Sequence, residues 1–340
     1  MTVSLGAVGL GLLGNVECGL YQKFDNVDLV AGVDVSVDAR ERFQSQYDRP
    51  AYGSLDGLLT NHEVELDAIS IMTPHTLHYE QARAALEADL HVFVEKPMTT
   101  KLETAQDLVD TALARDRVLQ VGFQRHFDPL FAELRRVVQS GTIGRPHTVN
   151  AYLGQQWIAD HEGTWRAVPS LSGGGQLFDS GTHLVDSVLW VLDADPYAIT
   201  GVLDQRGHEV DINSALAATL ERGNDTITAS LCVCGDGTDP TPHEGMTIWG
   251  TEGHVMLTDS ELRVTDAKST REIPIQGDRD FDSLTERKLR NFVDAVTGDA
   301  ESVVTGEYGL GVTAFLEGAY KTTESGRRVT IDNLDGGTDE

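Results

Sequence analysis

Val3-Ser4-Leu5-Gly6-Ala7-Val8-Gly9-Leu10-Gly11-Leu12-Leu13-Gly14 is the stretch on which the fold turns. Val3–Val8 reads as a strand, and the next six residues form G-x-G-x-x-G at the start of a helical stretch. Glycines at this spacing let the backbone turn tightly and approach a pyrophosphate, which then sits on the positive end of the helix. Asp34 follows Gly14 by twenty residues, at the end of a second strand-like run, Asp28–Val33. A carboxylate there accepts hydrogen bonds from both ribose hydroxyls and repels a 2′-phosphate, so NAD is expected ahead of NADP. Val35 and Ser36 offer no cation to a phosphate. Arg40 and Arg42 lie farther on and leave NADP open.

The alternation continues outward from this motif. Val37–Tyr47 reads as helix, Ala68–Met72 as strand, Thr76–Ala88 as helix, His91–Val94 as strand, Leu102–Arg115 as helix and Val118–Val121 as strand. Strands separated by helices of this length form βαβ units, hence a doubly wound parallel sheet with its ligand crevice at the carboxyl ends of the strands. Residues 1–124 are thus expected to be a dinucleotide-binding Rossmann domain. Beyond residue 125 the pattern changes. A helix over Pro129–Ser140 ends at Gly141, and a strand Pro146–Leu153 follows. One helix is expected from the Gly173-Gly174-Gly175 run to about Leu192. Strand-like runs then succeed one another at Ala198–Leu203, Ser214–Glu221, Thr226–Val233, Gly245–Gly250, His254–Thr258 and Glu261–Thr265, before helices near Asp282–Thr297 and Gly306–Ser325. This predicts an α+β domain over 125–331 with a large, mostly antiparallel open sheet. Its last helix can pack back on the first domain, and 332–340 form an acidic tail. One face of the open sheet suits a homodimer or homotetramer.

Charge excludes several partners. Of 340 residues, 54 are acidic and 26 basic, a formal net charge of −28. Such a surface repels nucleic acid and anionic membrane. An acid excess spread over the whole chain resembles that of proteins from salt-loving organisms, where molar salt quiets self-repulsion. An acidic protein without a salt requirement is the plainer alternative. No apolar run reaches the length of a membrane span, and no basic segment with a long apolar core opens the chain, so a cytoplasmic location is expected. Cys18 stands alone, and Cys232 and Cys234 share one side of a strand, so reduced thiols are expected. Only six residues are lysines: Lys23, Lys96, Lys101, Lys268, Lys288 and Lys321.

Three further stretches carry chemistry. Thr73-Pro74-His75, with His78, follows the third strand of the alternation, where a nicotinamide ribose would pass; a helix-capping turn is compatible with that role. Glu95-Lys96-Pro97 follows the fourth strand, and the Lys96–Pro97 bond is a candidate cis peptide. A lysine there can hydrogen-bond a substrate hydroxyl and, if buried, transfer a proton; a surface ion pair between Glu95 and its neighbour is the bland alternative. In Gly173-Gly174-Gly175-Gln176-Leu177-Phe178-Asp179-Ser180-Gly181-Thr182-His183, Asp179 and His183 stand at i and i+4. A carboxylate one helical turn from an imidazole raises its basicity, as a base removing a hydroxyl proton requires. A structural Asp–His tie is the alternative. His183 and Asp186 have metal-ligand spacing but lack a third and fourth ligand, so no metal is expected.

These motifs, in this order, resemble the glucose-fructose oxidoreductase / inositol dehydrogenase / rhizopine catabolism (Gfo/Idh/MocA) family. The resemblance runs from the Gly9–Gly14 loop through Thr73-Pro74, Glu95-Lys96-Pro97, Gly122-Phe123-Gln124-Arg125 and Asp179-x-x-x-His183 to Gly318-Ala319-Tyr320-Lys321 and Gly326-Arg327-Arg328-Val329. It implies a catalytic set of Lys96, Asp179 and His183: His183 takes the hydroxyl proton, Lys96 holds the substrate oxygen, and Asp179 fixes substrate and His183. Cofactor contacts are then expected from Gly9, Gly11, Leu12, Leu13, Gly14, Asp34, Thr73, Pro74, His78, Glu95, Lys96 and Gln124. Arg125, Trp157, Trp165, Arg166 and His243 are candidate substrate residues. His126 stands where many members have a second Arg, a difference expected to bear on the substrate pocket. The activity implied is NAD(P)-dependent oxidation of a sugar or polyol hydroxyl, of aldose 1-dehydrogenase or inositol dehydrogenase type. An NAD-dependent glycoside hydrolase, a sugar–sugar transhydrogenase and a non-catalytic dinucleotide-binding sugar sensor are the rival readings.

Overall fold

A computed structural model describes residues 1–61, 63–238 and 243–334. The first part runs β1 (Val3–Val8), α1 (Leu12–Tyr21), β2 (Val27–Val33), α2 (Val37–Tyr47), β3 (Ala51–Tyr52), α3 (Leu55–Leu59), β4 (Ala68–Ile71), α4 (His78–Glu87), β5 (His91–Val94), α5 (Leu102–Ala114) and β6 (Leu119–Val121). The six strands form one sheet in the order β3-β2-β1-β4-β5-β6, every pair parallel. The order reverses between β1 and β4, so the glycine loop after β1 opens at the switch point of the sheet. All four residues of β4, Ala68 to Ile71, are buried, as expected of strands covered on both faces. The crossover helices each bury one stripe; α5 buries Ala105, Leu108, Val109 and Ala112. The two-residue β3 and the five-residue α3 are too short to have shown a period in the sequence.

The chain continues through α6 (Pro129–Gln139), β7 (Pro146–Gly154), α7 (Trp157–His161), α8 (Pro169–Ser172), a π-helical turn at Leu177–Gly181, α9 (Thr182–Leu192), β8 (Asp195–Asp204), β9 (Asn213–Arg222) and β10 (Asp225–Cys234). It ends with β11 (His243–Gly250), β12 (Gly253–Thr258), β13 (Glu261–Asp266), β14 (Thr270–Ile273), α10 (Phe281–Thr297), α11 (Gly306–Ser325) and β15 (Val329–Thr330). Nine strands form a second sheet, β14-β13-β12-β11-β7-β10-β9-β8-β15, antiparallel except for β7 with β10. Burial alternates along it. In β10, Ile227, Ala229, Leu231 and Val233 are buried, while Thr226, Thr228, Ser230 and Cys232 are exposed. All three cysteines are free thiols.

The helix expected to run unbroken from the triple glycine to Leu192 is instead a π-helical turn followed by α9. Asp211 accounts for its start. Its carboxylate accepts from the amides of Gly175 (2.7 Å) and Leu177 (2.9 Å), and from the Tyr320 hydroxyl (2.5 Å). The glycine at 175 allows this approach, because a Cβ there would collide with the Asp211 backbone.

By contacts the chain forms two units, Met1–Gln124 with Asp280–Gly309, and Arg125–Arg279 with Leu310–Glu340. The second domain expected to run unbroken over 125–331 is interrupted in this division: Asp280–Gly309, which holds α10 and the first turn of α11, falls in the first unit. Leu289, Phe292 and Val293 of α10 share a core with Val3, Leu5, Tyr21 and Phe93, with the Phe93 and Phe292 rings 5.6 Å apart. The apolar stripe of α10 was legible in the sequence, but a stripe does not say which sheet it covers. Of the expected acidic tail, residues 335–340 lie outside the described residues. No helix among the described residues is long and apolar enough to cross a membrane.

Candidate active site

In the first unit, three glycines of the loop have different reasons to be glycine. Gly9 has φ +93°, and a Cβ there would lie 2.6 Å from the Met72 carbonyl oxygen. A Cβ at Gly14 would collide with the Gly9 carbonyl oxygen. A Cβ at Gly11 meets nothing within 4 Å, so packing within the chain does not require glycine there. Gly11 is the N-cap of α1, with no side-chain cap and no acidic residue in the first turn. The first amides and the positive end of the helix dipole therefore remain for an anion, and the open approach at Gly11 is the cradle a pyrophosphate requires. Leu12 is 89 % exposed and Leu13 half-buried. Asp34 lies against the same loop: its carboxylate accepts from the amides of Leu10 (2.7 Å) and Ser36 (2.8 Å). The Arg40 guanidinium donates to the carbonyls of Asp34 (2.7 Å) and Val35 (3.0 Å). These residues fit an adenine dinucleotide.

The turns after β4 and β5 are braced together. Thr73 Oγ1 donates to Gln81 Oε1 at 2.6 Å, and Pro74 precedes a 3₁₀ turn at His75–Leu77. His78 is fully buried, with Nε2 2.9 Å from the Thr73 carbonyl and Nδ1 2.8 Å from that of Pro97. Burial lowers its pKa and outweighs the two carbonyls, which favour a charged ring. The neutral ring thus donates to one carbonyl at a time. His78 thus ties the Thr73 turn to the Pro97 turn. The Lys96–Pro97 peptide is cis, and Lys96 is half-buried.

Glu95 is not the partner in a surface ion pair but lies buried. Its Oε2 accepts from the Lys96 amide at 3.2 Å, and its Oε1 is bonded to Lys288 Nζ of α10. The same ammonium donates to Glu17 Oε1 of α1 at 3.0 Å. Burial alone would raise the Glu95 carboxyl; the Lys288 ammonium outweighs it and holds the pKa below the ordinary value. Burial pushes Glu17 up to about 8 against the pull of Lys288, with the Glu95 charge adding to the rise. Burial opposes the charge on Lys288, but the two carboxyls raise its pKa. Gln124, half-buried, ends the first segment of this unit, at the start of a 3₁₀ turn, Gln124–Phe127.

In the second unit, Asp179 sits in the π-helical turn, buried. Its Oδ2 accepts from Trp157 Nε1 (2.8 Å) and Arg166 Nε (3.1 Å), and His161 Nε2 lies 3.9 Å away. Trp157 is itself buried against Val210 and Ile212, so it holds the carboxylate rather than lining an open pocket. The Arg166 guanidinium stacks over the Trp165 ring at 4.5 Å. Three of the five candidate substrate residues therefore gather about Asp179. His183, half-buried, lies in the first turn of α9, and its carbonyl accepts from Ser187 Oγ at 2.7 Å.

The other two candidates are engaged elsewhere. Arg125 donates to Glu244 Oε2 (2.6 Å) and Ser187 Oγ (3.1 Å), in a mostly buried ion pair. Its charge is thus already paired. His243 stands exposed at the start of β11, 3.4 Å from Asp259. The His126 side chain is fully buried, bonded to Asp186 at 2.8 Å and stacked on Trp190.

Sequence reasoning missed His161, Asp211, Glu17 and the role of Lys288. Lys288 alone left a signal, as one of six lysines in an acidic chain. The others are ordinary helix and loop residues whose partners lie far along the chain.

Residues 3–123 match the model of the Gfo/Idh/MocA oxidoreductase family with NAD-binding Rossmann fold, and residues 131–256 match the Gfo/Idh/MocA C-terminal domain. The chain is 25 % identical over 279 residues to D-xylose 1-dehydrogenase [NADP(+)] of Haloarcula marismortui, covering 78 % of this chain and 75 % of that one. It is 25 % identical over 350 residues to myo-inositol 2-dehydrogenase of Thermotoga maritima, covering 98 % and 99 %. Levoglucosan dehydrogenase, solved with NADH and L-sorbose, superposes with a TM-score of 0.86 at 18 % identity, over 97 % of this chain and 99 % of that one. The chain belongs to the Gfo/Idh/MocA family and is an NAD(P)-dependent oxidoreductase.

Proposed function

We propose that this enzyme oxidises a ring hydroxyl of a sugar or polyol, with Lys96, Asp179 and His183 as its catalytic residues. The observation that carries the reading is the Lys96 turn itself. A lysine stands directly at the carboxyl end of a parallel strand, and its backbone is fixed by a buried carboxylate in a unit that also cradles a dinucleotide. The bound dinucleotide supplies the hydride acceptor. Lys96 Nζ donates to the substrate oxygen and stabilises the negative charge that grows as the proton leaves. His183 accepts that proton. Asp179, fixed by Trp157 and Arg166, holds substrate and His183 in place. D-Xylose and myo-inositol, on which the relatives act by name, are the first substrates to try.

Asp34, pinned beside the glycine loop, favours NAD by offering a carboxylate where NADP carries its phosphate. In a chain of net charge −28, the outer face of the nine-stranded sheet carries Asn150, Tyr152, Ala215, Ala217, Ser230 and Cys232 over its middle strands. This uncharged surface suits a second copy of the chain, and the enzyme is a cytoplasmic homo-oligomer in this reading. The test is a panel of aldoses and inositols followed by nicotinamide absorbance, with NAD and NADP separately, at low and molar KCl. NAD reduction by at least one member is expected. A protein that binds dinucleotide but turns over none of them contradicts the proposal.

A further inference from the structure

We propose that Lys288 and Glu17 are positioning residues for Lys96: the Lys288 ammonium fixes the Glu95 carboxylate, Glu95 fixes the Lys96 main-chain amide, and the proton on Glu17 sets the net charge beneath the turn. The inference rests on the catalytic reading of Lys96. Every link lies within one unit of the fold. Lys288 Nζ is bonded to Glu95 Oε1 and Glu17 Oε1, and Glu95 Oε2 accepts from the Lys96 amide. The three side chains are buried: Lys288 is 3 % exposed, Glu17 0 % and Glu95 8 %. Gly122 belongs to the arrangement, because a Cβ there would lie 2.5 Å from Glu95 Oε1.

A lone ammonium facing two buried carboxylates would leave one negative charge uncompensated in a dry site. Glu17 Oε2 has no hydrogen-bond partner among the described residues, which marks it as the oxygen that keeps a proton. With Glu17 neutral, Lys288 and Glu95 balance. Loss of that proton near pH 8 puts one extra negative charge two carboxyl contacts from Lys96. The ionisable groups facing Glu17 are Cys18 and Tyr21 of its own helix, Lys288 of α10 and Glu95 after β5. Lys96 and His78 face Glu95. The thiol and phenol stay neutral because burial raises both their pKa values, and burial keeps His78 neutral. Glu17 is thus the group of this assembly that changes charge around pH 8.

A chain with six lysines permits a direct test. Protein labelled with ε-¹³C-lysine gives one signal per lysine, each assigned by Lys→Arg substitution, and is titrated by NMR without substrate. The Lys288 and Lys96 signals should both inflect near pH 8 in the wild type and lose that inflection in Glu17→Gln, an isosteric change that preserves the acceptor oxygen. Lys288→Met should move the Lys96 signal and Lys288→Arg should restore it. Lys288→Met should also lower kcat by about 10²-fold on any sugar found in the panel, with the KM for NAD within about threefold. A purely structural role would lower Tm and leave the Lys96 signal in place. A Lys96 signal that superimposes in wild type, Glu17→Gln and Lys288→Met overturns the proposal, as does a Lys288 signal without the inflection. If Lys288→Met does not fold, Glu17→Gln alone decides. Absence of sugar turnover with a responsive Lys96 signal would fail the dehydrogenase reading and not this one.

Discussion

The six-stranded and nine-stranded sheets of this molecule handle their faces differently. Parallel β4 is buried at every residue, because crossover helices cover both sides. In the mostly antiparallel sheet, β10 alternates buried and exposed residues along its length, as a strand covered on one side does. A sheet buried on both faces has only its strand ends for chemistry. The glycine loop, Asp34, Thr73 and Lys96 all lie in turns at those ends. A sheet covered on one face leaves its strands for packing and its outer face for a partner. Asp179 and His183 accordingly sit on the helical segment of that unit and not on a strand.

Substitutions should separate the two regimes. The largest effects are expected at the proposed catalytic residues. Lys96→Ala and His183→Ala should each lower turnover by about 10²–10⁴-fold, with dinucleotide affinity measured by fluorescence nearly unchanged. Near-normal turnover in either variant removes that residue from the mechanism.

Next are the positions where the sheets are packed. Leu231→Ala, on the covered face of β10, should cost about 2–5 kcal/mol in denaturant unfolding. Ala217→Asp, on the open face of the neighbouring strand, should leave secondary structure intact and shift the sedimenting species to monomer. An unchanged oligomer after Ala217→Asp would show that the open face is not the interface. The glycine loop divides likewise. Gly14→Ala should destabilise the fold by about 1–3 kcal/mol, because the added methyl meets the Gly9 carbonyl. Gly11→Ala should leave Tm in place and weaken NAD binding.

The smallest effect is a slope. Glu17 titrates at about 8 in the folded chain against an ordinary 4.5, so the folded state holds the extra proton between those values. Its contribution therefore makes stability fall as pH rises through that window. The Glu95 pKa is lowered below the window and the Lys288 pKa lies above it, so neither adds slope there. Glu17→Gln should gain stability relative to wild type from pH 5 to 8, measured by urea unfolding. A constant difference would place the proton elsewhere.

The contrast between the sheets also explains what was legible in the sequence. Periodicity revealed both sheets, because strand length, helix spacing and alternation are local signals. The short β3, β14 and β15 gave no period. The glycine spacing and Asp34 revealed the dinucleotide cradle, because the loop, helix start and strand end are close along the chain. The Glu17–Lys288 contact spans 271 positions, and no local pattern encodes it. The same is true of Asp211 with Tyr320, 109 positions apart. The stacking of His126 on Trp190 and its bond to Asp186, 60 positions away, are likewise beyond any local pattern.

The central claim is that Lys96 and His183 serve one proton and hydride transfer on one substrate hydroxyl. A double-mutant cycle on single-turnover NAD reduction tests it most directly. If the two residues act as a unit, Lys96→Ala/His183→Ala should be no slower than the slower single variant by more than about tenfold. Losses that multiply in full would mean that the two side chains act on separate steps, and would contradict the account.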